Sequence, residues 1–402
     1  MNINKTISLS IALFMLSGCD KDNSIDWGQP FQITVGSQTG APVEGATVEG
    51  GIDWNYFVVQ TNASGVATLP GSARGHAAAI SRTNFLPIMV SSIAPARYTL
   101  NETSRKLNLM GSVDGKAIRF RQNELMTLNY QGTYHLYSYN DQSVTETFQC
   151  VLHDSVDAIQ KTLLAGDTLW LTTHDSGVFA FSIQNPSSPV FLFRIPVSGY
   201  LGPFVVKDSL LILGDPGEPG PLRVMVYRPT GEYRELSRVQ NYFVRSMTGI
   251  GNAVVLLGNS DCLPTVFDIS DPASPALLYN GLEWGYQTGF FYNRLAILTP
   301  RSGSGGNIIQ LEYKVLDLSN PVSPRPMNPI ISDSWITGLA SDSIAYGNCY
   351  VRYLTINILS GNMQTGFQTV ASVSDNTFDG VGGAFPPYYV IGNRLWKMVE
   401  RQ

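Results

Sequence analysis

The stretch Val266-Phe-Asp-Ile-Ser-Asp-Pro-Ala-Ser-Pro275 recurs almost unchanged as Val315-Leu-Asp-Leu-Ser-Asn-Pro-Val-Ser-Pro324, and more weakly as Ala180-Phe-Ser-Ile-Gln-Asn-Pro-Ser-Ser-Pro189. Each copy begins with the alternation of a half-buried strand and then reaches Asp-Pro or Asn-Pro. There the polar side chain can cap a turn, and the proline fixes the φ angle. The second proline suits an outer strand, whose free edge needs no donor. The stretch therefore predicts a strand, a turn and an outer strand in a repeated β unit.

A turn built on Asp or Asn, followed at once by an apolar strand, gives the period of this repeat. It occurs seven times, and successive occurrences lie 44, 41, 44, 41, 49 and 51 residues apart. Such intervals fit the four-stranded blades of a β-propeller. The sequence therefore predicts an all-β fold in which residues 97–402 form a propeller of six or seven blades. The turn residues are Asn123, Asp167, Asp208, Asn252, Asn293, Asp342 and Asn393.

The repeats resemble the LVIVD repeat of bacterial β-propellers, whose core reads apolar-Asp-apolar-Ser-Asp/Asn-Pro-x-x-Pro. The third and sixth repeats depart from that pattern and carry Pro229-Thr-Gly231 and Ser360-Gly361 instead. LVIVD propellers are grouped by their repeat and not by a shared activity. The resemblance therefore implies a fold and no particular chemistry.

The two ends of the repeat region are expected to meet. The last repeat supplies about two strands, through Leu395 to Val399. Residues 97–100 and 106–110 could supply the rest of that blade. Closure of this kind hides edge strands that would otherwise pair with other molecules. Contact between these segments would support the expectation, and their separation would contradict it.

A smaller module precedes the repeats. Phe31-Gln-Ile-Thr-Val35 alternates like a strand, and Gly40-Ala-Pro-Val-Glu-Gly-Ala-Thr-Val48 and Thr61-Asn-Ala-Ser-Gly-Val-Ala-Thr-Leu69 follow it. These segments resemble the carboxypeptidase regulatory-like β-sandwich modules of bacterial surface proteins, although Asn62 stands where that family often has Asp. The resemblance covers residues 29–96 and implies a small β-sandwich that acts as a spacer or docking platform.

The first residues predict the compartment. Lys5 is followed by a short apolar segment, Ile7 to Leu16, which is too short to span a bilayer comfortably. The tetrad Leu16-Ser-Gly-Cys19 resembles the lipobox of bacterial lipoproteins. The resemblance implies a signal peptide over residues 1–18, diacylglycerol and palmitate on Cys19, and a tether over residues 19–28. An ordinary signal peptide with a chance cysteine is the alternative.

This resemblance places the protein in the bacterial cell envelope. Its partner there would be a membrane, reached through the lipid anchor. We expect the outer membrane or the cell surface. Acidic residues directly after the cysteine (Asp20 and Asp22) resemble a surface-export signal in some Gram-negative groups and an inner-membrane retention signal in others.

Composition and charge exclude some partners and sites. The net charge is -5, and the 26 Lys and Arg residues are scattered singly, so we expect no nucleic-acid partner. The remaining cysteines, Cys150, Cys262 and Cys349, fall in different repeats, and an odd number cannot pair completely, which predicts buried free thiols. No Cys-x-x-Cys occurs among them, so we expect no thiolate metal site.

The candidate chemical groups predict no catalytic residue, no metal site and no cofactor. The four histidines, His76, His135, His153 and His174, lack metal-ligand spacing, and no Gly-x-Ser-x-Gly elbow occurs. Asp215 and Glu218 lie in a proline-glycine loop and are expected at an exposed rim. Asp268 and Asp317 recur with the repeat, so we assign them a structural role in each blade, in a turn or in packing.

An exposed aromatic patch is the predicted binding surface. The charge-poor segment Gly382-Gly-Ala-Phe-Pro-Pro-Tyr-Tyr389 offers Phe385, Tyr388 and Tyr389, which could stack on a sugar or anchor a protein. The alternative, and the more frequent role of such rings, is packing between blades.

The sequence favours a non-enzymatic binding module with a protein or glycan ligand. An extracellular glycan-active enzyme with its site at the propeller axis, or a purely structural envelope component, remains an alternative.

Overall fold

The protein is all-β, as predicted, in a computed structural model that describes residues 28–51, 56–90, 92–156, 158–197, 202–214, 220–242, 244–258, 264–281, 286–300, 311–332, 335–348, 355–362, 364, 366–374 and 381–401. The one helical segment within these ranges is a 3-10 turn, Gly71–Ala73. The chain divides into two compact units. The first comprises residues 1–80 and 88–100, and the second comprises residues 81–87 and 101–402.

The first unit contains two small sheets. One has the order β4-β1-β7, with β1 antiparallel to β4 and parallel to β7, and the other has the order β3-β2-β5-β6. Gly65 makes the turn before β4 with a φ of +71°, and a Cβ there would lie 2.4 Å from the Val35 carbonyl oxygen. The strands are β1 Phe31–Ser37, β2 Thr47–Gly50, β3 Phe57–Gln60, β4 Val66–Leu69, β5 Ala78–Ser81, β6 Ile88–Val90 and β7 Arg97–Leu100.

The second unit is a succession of small antiparallel sheets, which we number in chain order. The first sheet is β9–β12, the second β13–β16, the third β17–β20 and the fourth β21–β24. The fifth is β25–β27 with β28 and β29, and β29 joins it to the sixth, β30–β33. The seventh has the order β34-β35-β36-β8.

The strands of the second unit are β8 Arg105–Ser112, β9 Lys116–Arg121, β10 Glu124–Leu128, β11 Thr133–Tyr139, β12 Val144–Val151, β13 Ile159–Ala165, β14 Thr168–Thr173, β15 Val178–Ser182, β16 Val190–Ile195, β17 Phe204–Lys207, β18 Leu210–Leu213, β19 Gly220–Tyr227, β20 Tyr233–Tyr242, β21 Ser246–Ile250, β22 Ala253–Leu257, β23 Pro264–Asp268, β24 Ala276–Asn280, β25 Tyr286–Tyr292, β26 Leu295–Pro300, β27 Leu311–Asp317, β28 Arg325–Pro326, β29 Ile330–Ser332, β30 Trp335–Ser341, β31 Ile344–Asn348, β32 Thr355–Asn362, β33 Gly366–Ser374, β34 Val381–Phe385, β35 Tyr388–Ile391 and β36 Arg394–Glu400.

The apolar core of the second unit lies between neighbouring sheets. Seven buried clusters occur within the described residues, and each draws its side chains from two consecutive sheets. The last of them joins the seventh sheet to the first, through Val390 and Leu395 on one side and Leu125 and Tyr137 on the other. The first strands of neighbouring sheets also contact one another. β9 of the first sheet contacts β13 of the second sheet and β34 of the seventh. The packing therefore passes from sheet to sheet and returns to the first.

The two ends of the second unit share one sheet. β8 pairs with β36 from Arg394↔Ser112 to Glu400↔Arg105, which confirms the expected contact of residues 106–110 with the last repeat. Residues 97–100 do not join them. They form β7, which pairs with β1, so that part of the prediction is wrong. A four-residue strand with one buried position has too little pattern to select its partner edge.

The last repeat supplies three strands to the seventh sheet instead of the predicted two. In the first six sheets the Asx turn joins the first and second strands, but Gly392-Asn393 joins the second and third strands, β35 and β36. The corresponding turn of the seventh sheet is Pro386-Pro387, which carries no Asx residue. It begins 44 residues after Asp342, close to the earlier intervals. The Asx turn of the last repeat therefore lies one turn further along its sheet than in the other repeats, and for that reason the sequence pattern did not predict β34.

The closing strand pair can be tested with two leucines. Leu395 on β36 is 0% exposed in the cluster between the seventh and first sheets, whereas Leu109 on β8 is 51% exposed. We expect Leu395→Ala to lower the free energy of unfolding of the full chain by about 2–5 kcal/mol, since it leaves a cavity. Leu109→Ala should change it by less than about 0.5 kcal/mol. Chemical denaturation followed by fluorescence measures both, and equal effects would contradict this account of the core.

Candidate functional site

Several candidates from the sequence lie outside the described residues. They are Cys19, Asp215, Glu218, Cys262 and Cys349. Cys150, which is described, is a free thiol whose pKa is raised by partial burial. None of the helices in the described ranges is long and apolar enough to cross a membrane.

Phe385 is the exposed centre of the predicted aromatic surface. It ends β34, beside the cis Pro386-Pro387 turn, and half of its surface (50%) is accessible to solvent. Its ring stacks on Phe120 from the end of β9, with centroids 5.9 Å apart and an interplanar angle of 17°. We call Phe120, Tyr139, Phe385 and Tyr388 the aromatic patch. Because one face of Phe385 is held by Phe120, its ring is presented in a defined orientation.

Tyr388 is held beside this pair by polar contacts. Its hydroxyl donates a hydrogen bond to Asp141 Oδ1 at 2.9 Å, and its ring lies 4.7 Å from that of Tyr139. Lys397 Nζ is 2.7 Å from the same Asp141 oxygen and 5.8 Å from the centroid of the Tyr388 ring. The hydrogen bond from Lys397, with a further one from Tyr388, lowers the pKa of Asp141. Asp141 therefore stays ionised and keeps orienting Tyr388 at neutral pH.

Tyr389 does not belong to the aromatic patch, which corrects the sequence prediction. It is 0% exposed and packs in the cluster between the sixth and seventh sheets. Neighbouring residues in a strand point to opposite faces, so Tyr388 and Tyr389 cannot share one surface. Its hydroxyl is buried without a hydrogen-bond partner, and burial raises the pKa of Tyr389 to about 12.

A cavity of about 630 Å³, which was not among the sites predicted from the sequence, opens where β9 and β13 begin. We call it the basic cavity, because two lysines line it. Lys116 starts β9, and Lys161 lies in β13; both side chains are exposed. Desolvation by the surrounding protein lowers the pKa of the Lys161 ammonium group, and the positive charges of Lys116 and Arg245 lower it further. The remaining lining residues are Asp114, Gly115, Ile118, Leu128, Asn129, Tyr130, Gln131, Ile159, Gln160, Thr162, Gly392 and Asn393.

A buried histidine supports the edge of this cavity. His135 is almost fully buried, and its Nδ1 lies 2.8 Å from Glu146 Oε1. Its Nε2 lies 3.1 Å from Asp114 Oδ2, an ion-pair distance at an angle too poor for a hydrogen bond. Asn129 Nδ2 donates a proper hydrogen bond to the same Asp114 oxygen at 2.9 Å. These contacts fix the Asp114 carboxylate at the cavity wall.

The recurring aspartates make turns, which is one of the two structural roles expected for them. Asp268 Oδ1 accepts hydrogen bonds from Ser270 N at 2.8 Å and from Ser270 Oγ at 2.7 Å. Asp317 Oδ1 accepts one from Ser319 N at 2.8 Å. Hydrogen bonds from the side chain and then from the backbone N–H of Ser270 lower the pKa of Asp268, and those of Ser319 lower the pKa of Asp317 in the same way. Across the described ranges, no group of three His, Cys, Asp or Glu residues could hold a metal ion.

The two lysines of the basic cavity, and Arg245 outside its lining, stand at similar positions in their repeats. Lys116, Lys161 and Arg245 lie seven, six and seven residues before the Asx residues Asn123, Asp167 and Asn252. Equivalent positions in equivalent sheets lie near one another when the first strands meet, as β9 and β13 do. Alignment of the repeats therefore indicates that Lys116 and Lys161 lie together.

The two adjacent tyrosines give a test of these assignments. Tyr389→Phe removes a buried hydroxyl that has no hydrogen-bond partner, so we expect the free energy of unfolding to rise by about 1 kcal/mol. Tyr388→Phe loses the bond to Asp141 at the surface and should lower it by about 1 kcal/mol or less. Denaturant titration of both variants measures the difference. A marked loss of stability in Tyr389→Phe would contradict the unpartnered hydroxyl.

Neither a family model nor a curated protein sequence matches this chain. Among solved structures, the chain is similar to the computationally designed Ika8 protein, with 15% identity, a TM-score of 0.44, and coverage of 92% of this chain and 100% of that one. It is also similar to a functionally unknown protein from Desulfotomaculum acetoxidans, with 12% identity, a TM-score of 0.47, and coverage of 64% and 82%. The N-terminal domain of Nup159 is similar at 8% identity, a TM-score of 0.40, and coverage of 72% and 90%. Likeness at this level carries no argument about function.

Proposed function

We propose that this chain is a lipid-anchored protein of the bacterial envelope, facing the cell surface or held at the outer membrane, whose second unit is a non-enzymatic binding module. In this proposal the second unit is a seven-bladed propeller of LVIVD type. The sheet-to-sheet packing that returns to its start supports seven blades, and so does the β8–β36 pair. The first unit is a small β-sandwich, similar to carboxypeptidase regulatory-like modules, that acts as a spacer.

The aromatic patch carries the binding proposal. An exposed ring costs free energy in water, and Phe385 is half exposed although its ring stacks on that of Phe120. Tyr388 and the Asp141–Lys397 pair place polar groups next to the exposed ring. Rigid aromatic rings with adjacent hydrogen-bonding groups suit the stacking of a sugar ring or the burial of a protein side chain. A protein or glycan ligand therefore fits this surface.

A glycan-active enzyme is the alternative function. Glycoside hydrolysis requires two carboxyl groups that face one bond. Of the described residues that line the basic cavity, Asp114 alone carries a carboxylate, and His135 and Asn129 already contact it. No observation in the described part of the chain favours this alternative over the binding module.

The ligand proposal predicts a selective effect of Phe385→Ala. Tagged full-length protein, cross-linked on intact cells and purified, should yield a reproducible protein partner, or else the purified protein should bind glycans on an array. Phe385→Ala removes the exposed stacking ring and should weaken recovery or binding at least about tenfold, the effect of a loss of about 1.4 kcal/mol.

Leu277 supplies the matched control for that experiment. It is apolar and equally exposed (50%), but it lies on β24 of the fourth sheet. Leu277→Ala should leave recovery unchanged. Equal losses in the two variants, or a wild-type protein that captures neither a protein nor a glycan, would refute the binding role of the patch.

The anchor proposal predicts that Cys19→Ala abolishes palmitate labelling and moves the protein from the membrane fraction to the soluble fraction. Acyl chains would be the only hold on the membrane in this proposal, and thioether lipidation requires the Cys19 thiol. Cys150→Ala, which removes a partly buried thiol, serves as the control and should retain both label and membrane association. Continued palmitate incorporation in Cys19→Ala would exclude Cys19 as the lipidation site.

A further inference from the structure

The basic cavity has the size of a small-molecule site. Its volume of about 630 Å³ falls within the range of about 300–1,000 Å³ typical of ligand pockets. It is formed by the beginnings of β9 and β13 and by the turn between β35 and β36. Phe120, which stacks under Phe385, lies at the opposite end of β9 from Lys116. The basic cavity and the aromatic patch are therefore separate sites.

The two lysines that line this cavity lack the partners that other cations of β9 possess. Arg119 and Arg121 on β9 both form ion pairs with Asp167, at 2.7 and 3.2 Å. Lys116 and Lys161, and also Arg245, which lies outside the lining, form no ion pair or side-chain hydrogen bond within the described part of the chain. Lys116 and Arg245 are nevertheless close enough to Lys161 to lower its pKa.

This grouping of like charges points to a ligand of opposite charge. Desolvation lowers the pKa of Lys161 most, and the positive charges of Lys116 and Arg245 lower it further, because neighbouring positive charges disfavour the charged form. An oxyanion placed between them would turn that repulsion into attraction. Cationic groups whose electrostatics are perturbed inside a concave site are typical of functional sites.

The other polar groups that line the basic cavity do not neutralise the positive charge of Lys116 and Lys161. Asp114 is the one carboxylate among the described lining residues, and it is contacted by Asn129 and His135 and lies beyond ion-pair distance of Lys116. Thr162 and Gln131 are exposed in the lining, and each can donate a neutral hydrogen bond. The wall therefore combines two free ammonium groups with uncharged donors.

We propose that the basic cavity binds a small ligand through a phosphate or carboxylate group, held by Lys116 and Lys161 with Arg245 nearby. Ammonium and guanidinium groups form short, charge-assisted hydrogen bonds to such oxyanions. The cavity volume of about 630 Å³ leaves room for the rest of a small molecule beside the anionic group, so the ligand in this proposal is a phosphorylated or carboxylated metabolite or sugar. This site acts independently of any ligand of the aromatic patch.

Isothermal titration calorimetry of the full chain in a non-ionic detergent at low ionic strength tests the proposal. The probes are inorganic phosphate, citrate and, as an uncharged control, glucose. We expect saturable binding of phosphate or citrate and none of glucose. Tighter phosphate binding indicates a phosphorylated ligand, and tighter citrate binding indicates a carboxylated one. Lys161→Gln and Lys116→Gln should each weaken the binding about tenfold or more, since each removes a charge-assisted bond.

Three further variants separate a built site from general charge. Lys161→Arg keeps the positive charge and should retain most of the affinity. Arg234→Gln removes an exposed cation of β20, far along the chain from the cavity, and should have no effect. Phe385→Ala should bind phosphate normally, which distinguishes this site from the aromatic patch. The absence of anion binding at millimolar concentration, or an equal loss in Arg234→Gln, would overturn the proposal.

Discussion

The sheets of the second unit are apolar on both faces, and the rest of the structure depends on this constraint. In β14, Leu169 packs towards the first sheet while its neighbour Trp170 packs towards the third. In β35, Tyr389 packs towards the sixth sheet and Val390 towards the first. A sheet with two apolar faces needs a neighbour on each side. In a row of such sheets, the first and the last would each expose an apolar face unless they packed against one another. β8 supplies the fourth strand of the seventh sheet, which packs against the first.

Turn chemistry is local, and for that reason it could be predicted from the sequence. Asp268 and Asp317 bond to the serine two residues onward, so the residues that define the turn lie next to one another in the chain. The pairing of the two ends of the repeat region could be predicted by counting the strands of the last repeat. That count gave two strands where the structure has three. β34 was not predicted because the turn that follows it is Pro386-Pro387, which lacks the Asx residue found in the corresponding turns of the other sheets. The pairing of β7 with β1 was not predicted because a strand of four residues carries too little pattern to distinguish one sheet edge from another.

The candidate sites were predictable only in part, because they depend on distant parts of the chain. Phe385 and Tyr388 could be found in one charge-poor segment, but Tyr389 was misplaced by one residue of strand register. Phe120 and Asp141, which orient the patch, come from more than 240 residues earlier. The lysines of the basic cavity stand at equivalent repeat positions, yet their lack of ion-pair partners can be recognised only after the chain has folded.

The β8–β36 pair also has a kinetic consequence. Arg105 pairs with Glu400, 295 residues further along the chain. Closing a flexible loop of that length costs roughly 5 kcal/mol of chain entropy, so contacts within each sheet form much earlier than this one. During synthesis, which proceeds from the amino end, β8 has no partner strand until β36 emerges. Pairing with β36 therefore completes the second unit, and every nascent chain that stops before β36 retains an unpaired β8.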